Sequence, residues 1–378
     1  MTRILAIETS CDETAAAVVD DGCFVRSSIV VSQEALHRRW GGVVPELASR
    51  EHAVHLAPAV RRAIADAGCT WEAIDAVAVT RGPGLAGALV VGLNFARAAA
   101  AARGIPLIAV NHLEAHLHAG WLAPPQAPPM AATPNFPVVG LVVSGGHTEL
   151  VVLHDWEKVE VVGRTRDDAA GEAFDKVARI LGLGYPGGPA IQAAAASAPV
   201  GGAGAGETDG RDTLTRPWMR GNLDFSFSGL KTAMLRQVEG DLHGGSAPVG
   251  NPSRLADVAR AVGGTSVGDA EDRPVGERTA RLARAFQEAV VDVLVSKACE
   301  AATIYGAGEV VLAGGVAANL RLRQALVASS PVPVRIPPFE YCTDNAAMVG
   351  AVGYRQFLRG EVSGAGLDIR PNLPLGER

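Results

Sequence analysis

Two histidines four residues apart, in Asn111-His112-Leu113-Glu114-Ala115-His116, carry the strongest chemical signal in the chain. In a helical run that spacing sets both imidazoles on one face, where neutral ring nitrogens converge on a single divalent metal without bending the backbone. HExxH zinc sites use the same His spacing, but here the acid is displaced. Glu114 stands two residues from each His and points roughly 160–200° away around the turn, so it joins neither the same ion nor its bound water. That geometry excludes a literal zinc-protease reading. His118, two residues beyond His116, falls on another face. The plain alternative is a pair of ordinary helix histidines.

Short polar and glycine-rich turns supply the other candidate chemistry. Glu8-Thr9-Ser10-Cys11-Asp12-Glu13-Thr14 forms the tip of a predicted hairpin between two apolar runs, Ile4–Ile7 and Ala15–Val19, and its small side chains let backbone N–H groups approach an anion. Arg81-Gly82-Pro83-Gly84-Leu85-Ala86-Gly87 runs from a strand into a helix and offers that helix's N-terminus. Ser144-Gly145-Gly146-His147-Thr148 is a second small polar tip between two strands. Gly314-Gly315-Val316-Ala317-Ala318-Asn319 joins a strand to a helix, the usual way an α/β domain presents backbone to a nucleoside, with Asn319 a donor and acceptor for ribose or base. Asp344, with Thr343, reads as the cap of the last helix or as the acid completing a His/His/Asp site.

The elements that must position these residues follow from periodicity. Helical spacing marks Glu46–Ala67, Ala88–Arg103, Arg278–Ala302 and Leu320–Ala328, while Ile74–Thr80, Ile105–Val110 and Glu309–Ala313 read as buried strands. Leu223–Ala233 alternates Phe with polar residues and predicts a strand turning into a helix. With 378 residues, two domains are expected, each opening on a hairpin with a small polar tip and closing on a common cleft. The proline-rich stretch between Ala123 and Asn135 reads as a linker, and the Gly/Ala-rich stretches near 201–213 and 240–276 as surface insertions. The expected division is 1–129 with 344–378, carrying the histidines, and 136–343, carrying most substrate contacts.

Composition narrows the class. Hydrophobic residues at 48% and charged residues at 20% are ordinary for a globular protein, and no apolar run is long enough to span a membrane. Five scattered cysteines with no CxxC fit a reducing cytoplasm and argue against a Cys-based metal site. A net charge of −6 gives no overall attraction to nucleic acid, so such a role needs a local basic patch or a partner.

Taken in order, the motifs at Ile7–Thr14, Gly41–Glu46, His112–His116, Ser144–Thr148, Asp168–Lys176, Phe225–Thr232, Gly314–Asn319 and Thr343–Ala346 resemble the TsaD/Gcp family of tRNA N6-adenosine threonylcarbamoyltransferases. The resemblance covers nearly the whole chain apart from the linker and the insertions. It implies an actin/Hsp70/hexokinase-like fold of two related RNase H-like α/β domains around a nucleotide cleft. It implies that His112, His116 and Asp344 hold one divalent metal, Fe(2+) before Zn(2+), and that Val143, Ser144, Gly145, Gly146, His147, Asp175, Gly188 and Asn319 contact substrate. Where some relatives carry an acid, this chain has Gln192. The implied donor is threonylcarbamoyl-AMP and the implied acceptor is adenosine 37 of tRNAs reading codons that begin with adenine. A TsaB-like paralogous partner and a TsaE-like small ATPase are the implied helpers, and no membrane is involved. No catalytic acid or base is assigned, because the donor is an already activated anhydride. Two rivals remain: an ATP-dependent kinase of the same fold, against which the His pair argues, and a non-catalytic nucleotide-binding scaffold. The older metallo-endopeptidase reading of the family gains nothing from the HxExH spacing.

Overall fold

A computed structural model describes residues 1–124, 133–199, 214–242, 275–364 and 366–377. The core of the proline-rich linker, all of 201–213 and most of 240–276 lie outside the described residues.

One five-strand arrangement occurs twice. In the first sheet β1 (Arg3–Glu8) pairs antiparallel with β2 (Glu13–Asp20), β2 pairs antiparallel with β3 (Phe24–Ser32), and β1 runs parallel to β4 (Ala76–Gly82), which runs parallel to β5 (Leu107–Asn111). The second sheet repeats that order and those directions with β6 (Val138–Val143), β7 (Thr148–Leu153), β8 (Val159–Arg164), β9 (Glu309–Ala313) and β10 (Val334–Arg335). β1 and β6 are near-continuous apolar runs because each is central and covered on both faces. The hairpin-first reading of both halves therefore matches the strand order.

Ten helices are described: α1 (Glu34–Arg38), α2 (Pro45–Asp66), α3 (Ala86–Arg103), α4 (His112–His118), α5 (Ala170–Ile180), α6 (Gly187–Ser197), α7 (Ser228–Leu242), α8 (Glu277–Ile304), α9 (Leu320–Ser329) and α10 (Ala346–Leu358). α2 starts on Pro45, whose missing N–H costs nothing at a first helical position. α3 stops at Gly104, which takes the left-handed conformation at φ 64°.

Burial explains the layering. Leu56, Val60 and Ile64 of α2 and Leu93 and Ala96 of α3 pack on Leu5, Ile7 and Val18 of the first sheet. Met348, Val349 and Val352 of α10 cover its other face at Ile4, Ala6 and Val19. On the second sheet, Phe174, Ile191, Phe286 and Val290 cover Val139, Leu141 and Leu150. The remaining face, Val138, Val142, Val151 and Val311, packs on Leu113 and Leu117 of α4, while Ala115 of the same helix packs in the α10 core. α4 is thus wedged between the two sheets, and all seven of its residues are buried.

The predicted strand at Leu223 does not form. A single bridge links Phe225 to Thr165, and the chain passes directly into α7. Asp167 is the cause: its carboxylate accepts from the backbone N–H groups of Phe227 (2.8 Å) and Ser228 (3.2 Å) and from both serine hydroxyls, so the donors that a ladder needs are spent on starting the helix.

Candidate metal centre and substrate cleft

Asn111 ends β5 and caps α4, its side-chain oxygen accepting from the N–H groups of Leu113 (3.0 Å) and Glu114 (3.3 Å). Helix phase is thereby fixed one residue before His112. The two imidazoles meet edge to face with centroids 4.6 Å apart. Asp344, 228 residues beyond His116, completes the group from the turn before α10. Its Oδ1 lies 3.1 Å from His116 Nε2 and 3.5 Å from His112 Nε2, and the three donor atoms lie within 4.8 Å of one another. Ligands about 2.0–2.1 Å from a metal stand roughly 3.4 Å apart in a tetrahedral arrangement, so these separations suit one ion. Two imidazoles and one carboxylate are a donor set for a borderline divalent cation such as Fe(2+) or Zn(2+).

Asp344 does not cap α10. Asn345 does, accepting from the Met348 N–H at 3.0 Å, which leaves the neighbouring carboxylate turned toward the histidines. Glu114 lies on the far side of α4 from this group, and His118 is separate too. The His118 ring stacks on Trp156 with centroids 4.9 Å apart, its Nδ1 donates to the Glu114 carbonyl at 2.9 Å, and burial pushes its pKa down to about 3.

Behind the pair sits Glu8, fully buried at the end of β1. One oxygen accepts from the Ser10 N–H, and the other lies 2.6 Å from the Thr80 hydroxyl and 3.0 Å from His112 Nδ1. In the sequence Glu8 stands only as the first residue of the polar tip; what marks it out is a carboxylate at the end of a strand apolar on both faces. Burial acts against charge on Glu8 and on Asp344, but the neighbouring imidazoles outweigh it, lowering both and holding Asp344 at about 2. For His112, burial favours the neutral ring, yet Asp344 and Glu8 raise its pKa to about 9. His116 is held below the usual value by burial. A positive charge is therefore wanted between these carboxylates, whether as imidazolium or as a metal ion.

The other sequence-predicted residues surround this centre unevenly. Val143 is fully buried at the end of β6 and has only backbone to offer. In the following tip the Ser144 N–H donates to the His147 carbonyl (2.8 Å) and the His147 N–H to Ser144 Oγ (3.1 Å), which leaves Gly145 and Gly146 as the exposed apex. Burial lowers the pKa of His147 to about 4, helped by the charges of His112 and His116, so a neutral ring faces the histidine pair. Asp175 accepts from the Gly187 N–H at 2.8 Å, and burial raises its pKa. Gly188 opens onto free space at the start of α6. Asn319 caps α9 through the Leu322 N–H (2.9 Å) and donates to Gln287 (3.0 Å), which leaves one amide hydrogen for a ligand. Gln192 also serves α9, accepting from the Leu320 N–H at 2.7 Å.

Two close approaches fix the height of the Ser144 tip. A Cβ at Gly171 would stand 2.5 Å from the Ser144 carbonyl oxygen, and one at Gly314, where φ is +88°, 2.4 Å from that of Val143. Both glycines let a helix or turn touch the strand end directly.

The family model for "TsaD: tRNA N6-adenosine threonylcarbamoyltransferase" matches residues 24–351. Among curated relatives, a tRNA N6-adenosine threonylcarbamoyltransferase of Thermomicrobium roseum is 50% identical, over 99% of this chain and 97% of that protein. One of Moorella thermoacetica is 48% identical over 99% and 97%. Among solved structures, T. kodakarensis HypF superposes with a TM-score of 0.57 at 14% identity, covering 97% of this chain and 48% of that one, a likeness of fold alone.

Proposed function

The chain belongs to the TsaD family of tRNA N6-adenosine threonylcarbamoyltransferases, and from that premise we infer how its residues carry out the transfer. It is an acyltransferase that modifies tRNA. The donor is threonylcarbamoyl-AMP and the acceptor is the N6 amine of adenosine 37. The amine nitrogen forms a bond to the carbamoyl carbon, the bond from that carbon to the phosphate oxygen breaks, AMP leaves and the amine gives up one proton. The observation that carries this reading is the match along the full length of named transferases together with the convergence of His112, His116 and Asp344.

Those three residues would hold the divalent metal, iron before zinc, which when bound supplies Lewis-acid charge for donor oxygens. Glu8 orients His112, and the exposed Gly145–Gly146 apex offers backbone N–H groups to developing negative charge. Asp175 and the free amide hydrogen of Asn319 grip the two ends of the donor. His147 stands as a neutral ring beside the centre. Each sheet, with its helices, forms one RNase H-like domain of an actin/Hsp70/hexokinase-type fold, divided at 1–129 with 344–378 and 136–343, and the cleft between them is the nucleotide site. No described helix is long and apolar enough to cross a membrane. The cytoplasm is the compartment this reading proposes.

Partners complete the machine. A TsaB-like paralogue docks on the outward face of α2, where Val54 stays 63% exposed, and a TsaE-like small ATPase is the second partner. The test supplies synthetic threonylcarbamoyl-AMP and unmodified tRNA to the chain with and without these partners. Modified adenosine, detected by nucleoside mass spectrometry, is expected with partners present. A chain that makes none in any combination, yet phosphorylates a small hydroxyl or acid from ATP, is the kinase rival.

A further inference from the structure

His52 of α2 belongs to none of the groups above, yet it is fully buried and touches the hairpin tip next to the histidine centre. Its Nε2 lies 3.0 Å from the Cys11 carbonyl oxygen. A carbonyl only accepts, so Nε2 carries the proton and Nδ1 carries the lone pair. Nδ1 is 2.7 Å from the Thr14 hydroxyl and 3.4 Å from the amide nitrogen of Gln33, both of which can donate. The Gln33 side-chain oxygen then faces His37 Nε2 at 3.1 Å, and His37 Nδ1 accepts from the Val44 N–H at 3.2 Å. Only one arrangement of protons satisfies every contact: His37 donates to Gln33, Gln33 to His52, and His52 to Cys11. Both rings are neutral in that arrangement, and burial favours this state for His52.

The chain of bonds ends where the site begins. Gln33 also donates its backbone N–H to the Asp12 carbonyl at 3.0 Å, so the carbonyls of Cys11 and Asp12 are both tied to this network. Ser10, one residue earlier, places its hydroxyl 3.2 Å from His112 Nδ1, gives its N–H to Glu8, and accepts from the Leu85 N–H at 2.8 Å. At the other end, Arg179 of α5 donates to the Gly41 carbonyl at 2.6 Å, three residues before Val44. A buried, fully satisfied polar network of this kind has one geometry rather than several.

We propose that His52 is a positioning residue for the transfer: through its single N–H to the Cys11 carbonyl it sets the height of the Ser10–Asp12 turn against His112. It touches no substrate. The proposal rests on the transferase reading for its catalytic consequence, while the positional claim stands on the hydrogen bonds alone.

Two substitutions separate the role from mere packing. In His52→Gln the amide nitrogen reaches where Nε2 stood and can still donate to Cys11. In His52→Asn the side chain reaches only the Nδ1 position, so Thr14 keeps a partner and Cys11 loses its donor. Hydrogen–deuterium exchange is read on peptides spanning residues 8–14 and 45–66, and steady-state kinetics are measured with the full complex. The expected result for His52→Asn is faster exchange in 8–14 with 45–66 unchanged, and a kcat roughly 10–100-fold lower at an unchanged KM for tRNA. His52→Gln is expected to exchange like the native chain and to keep kcat within about threefold. Unchanged exchange at 8–14 in His52→Asn overturns the proposal, as does His52→Gln falling together with His52→Asn. If the native complex transfers nothing, the transferase reading fails, and the exchange measurement still decides the positional claim.

Discussion

Glu8 and His112 face each other across 3.0 Å in the wall of the first sheet, a buried carboxylate holding the Nδ1 hydrogen of an imidazole whose other nitrogen points at Asp344. This fixes the tautomer needed for a metal ligand and raises the basicity of the ring. Glu8→Gln is expected to weaken metal affinity about 10–100-fold while leaving three ligands in place. Competition with a chelator of known affinity measures it, and an unchanged affinity removes Glu8 from the site.

The same pair predicts a pH dependence of metal uptake. With its pKa raised to about 9, His112 is protonated at neutral pH in the metal-free chain, whereas His116 and Asp344 already sit in their ligating forms. Binding must expel one proton from His112, so apparent affinity should rise about tenfold per pH unit from neutrality and level off near pH 9. Proton release measured by calorimetry in buffers of different ionisation enthalpy gives the count directly. A release of zero at pH 7 would contradict the charge state assigned here.

His112→Ala, His116→Ala and Asp344→Ala are each expected to lose the metal and most activity while keeping the fold, because none of the three side chains belongs to an apolar core cluster. For Asp344 the argument is sharper, since Asn345 provides the helix cap and survives the change. Glu114→Ala keeps the metal. Elemental analysis of the four purified proteins decides the set.

Asp167→Ala removes the acceptor of the Phe227 and Ser228 N–H groups at the start of α7 and should cost about 0.5–2 kcal/mol. Burial works to raise the pKa of Asp167, but hydrogen bonds from Ser226, Phe227 and Ser228 outweigh it and hold it below 3.8. A depressed carboxylate stabilises above its unfolded pKa and loses that contribution as pH falls through the folded value. Native and variant melting curves should therefore differ at pH 6 and converge in acid, and a constant gap would mean the loss is not this carboxylate's charge.

Binding of tRNA by the isolated chain should be weak. Several basic side chains are already paired with acids, Lys176 with Asp168 and Glu172, Arg166 with Asp224, Arg216 with Asp292 and Arg50 with Glu46, on a chain of net charge −6. Each such pairing reduces the counterion release that tRNA binding could draw on. A filter-binding titration against salt checks this, and tight binding with a steep salt slope by the chain alone would refute it.

Local pattern made some of these features legible in the sequence, and long-range packing hid the others. The His pair, the two hairpin tips and the strand–GG–helix turn all follow rules spanning fewer than about ten residues, and each appears where periodicity put it. Asp344 could be placed beside the pair only by analogy, since its position depends on α10 packing against the sheet whose last strand leads into His112. Alternation at Phe225 and Phe227 suggested a strand because period two was satisfied, but the deciding partner, Asp167, lies 60 residues away. His52 gave no sign at all. A single histidine on an apolar helix face looks the same whether or not its ring is spoken for.

Gly171 and Gly314 meet the strand end below the Ser144 tip at distances no side chain tolerates, whereas Gly145, Gly146 and Gly188 look onto open space. Side chains can therefore be added at one set of glycines and not at the other. If the proposed donor sits against this apex, a side chain at Gly145, Gly146 or Gly188 would narrow the room left for its threonyl group and retune which acyl donor fits. A side chain at Gly171 or Gly314 would act as a wedge and lift the whole tip from its seat. A saturation library at these five positions should accordingly yield altered-substrate enzymes from the first three and inactive protein from the other two.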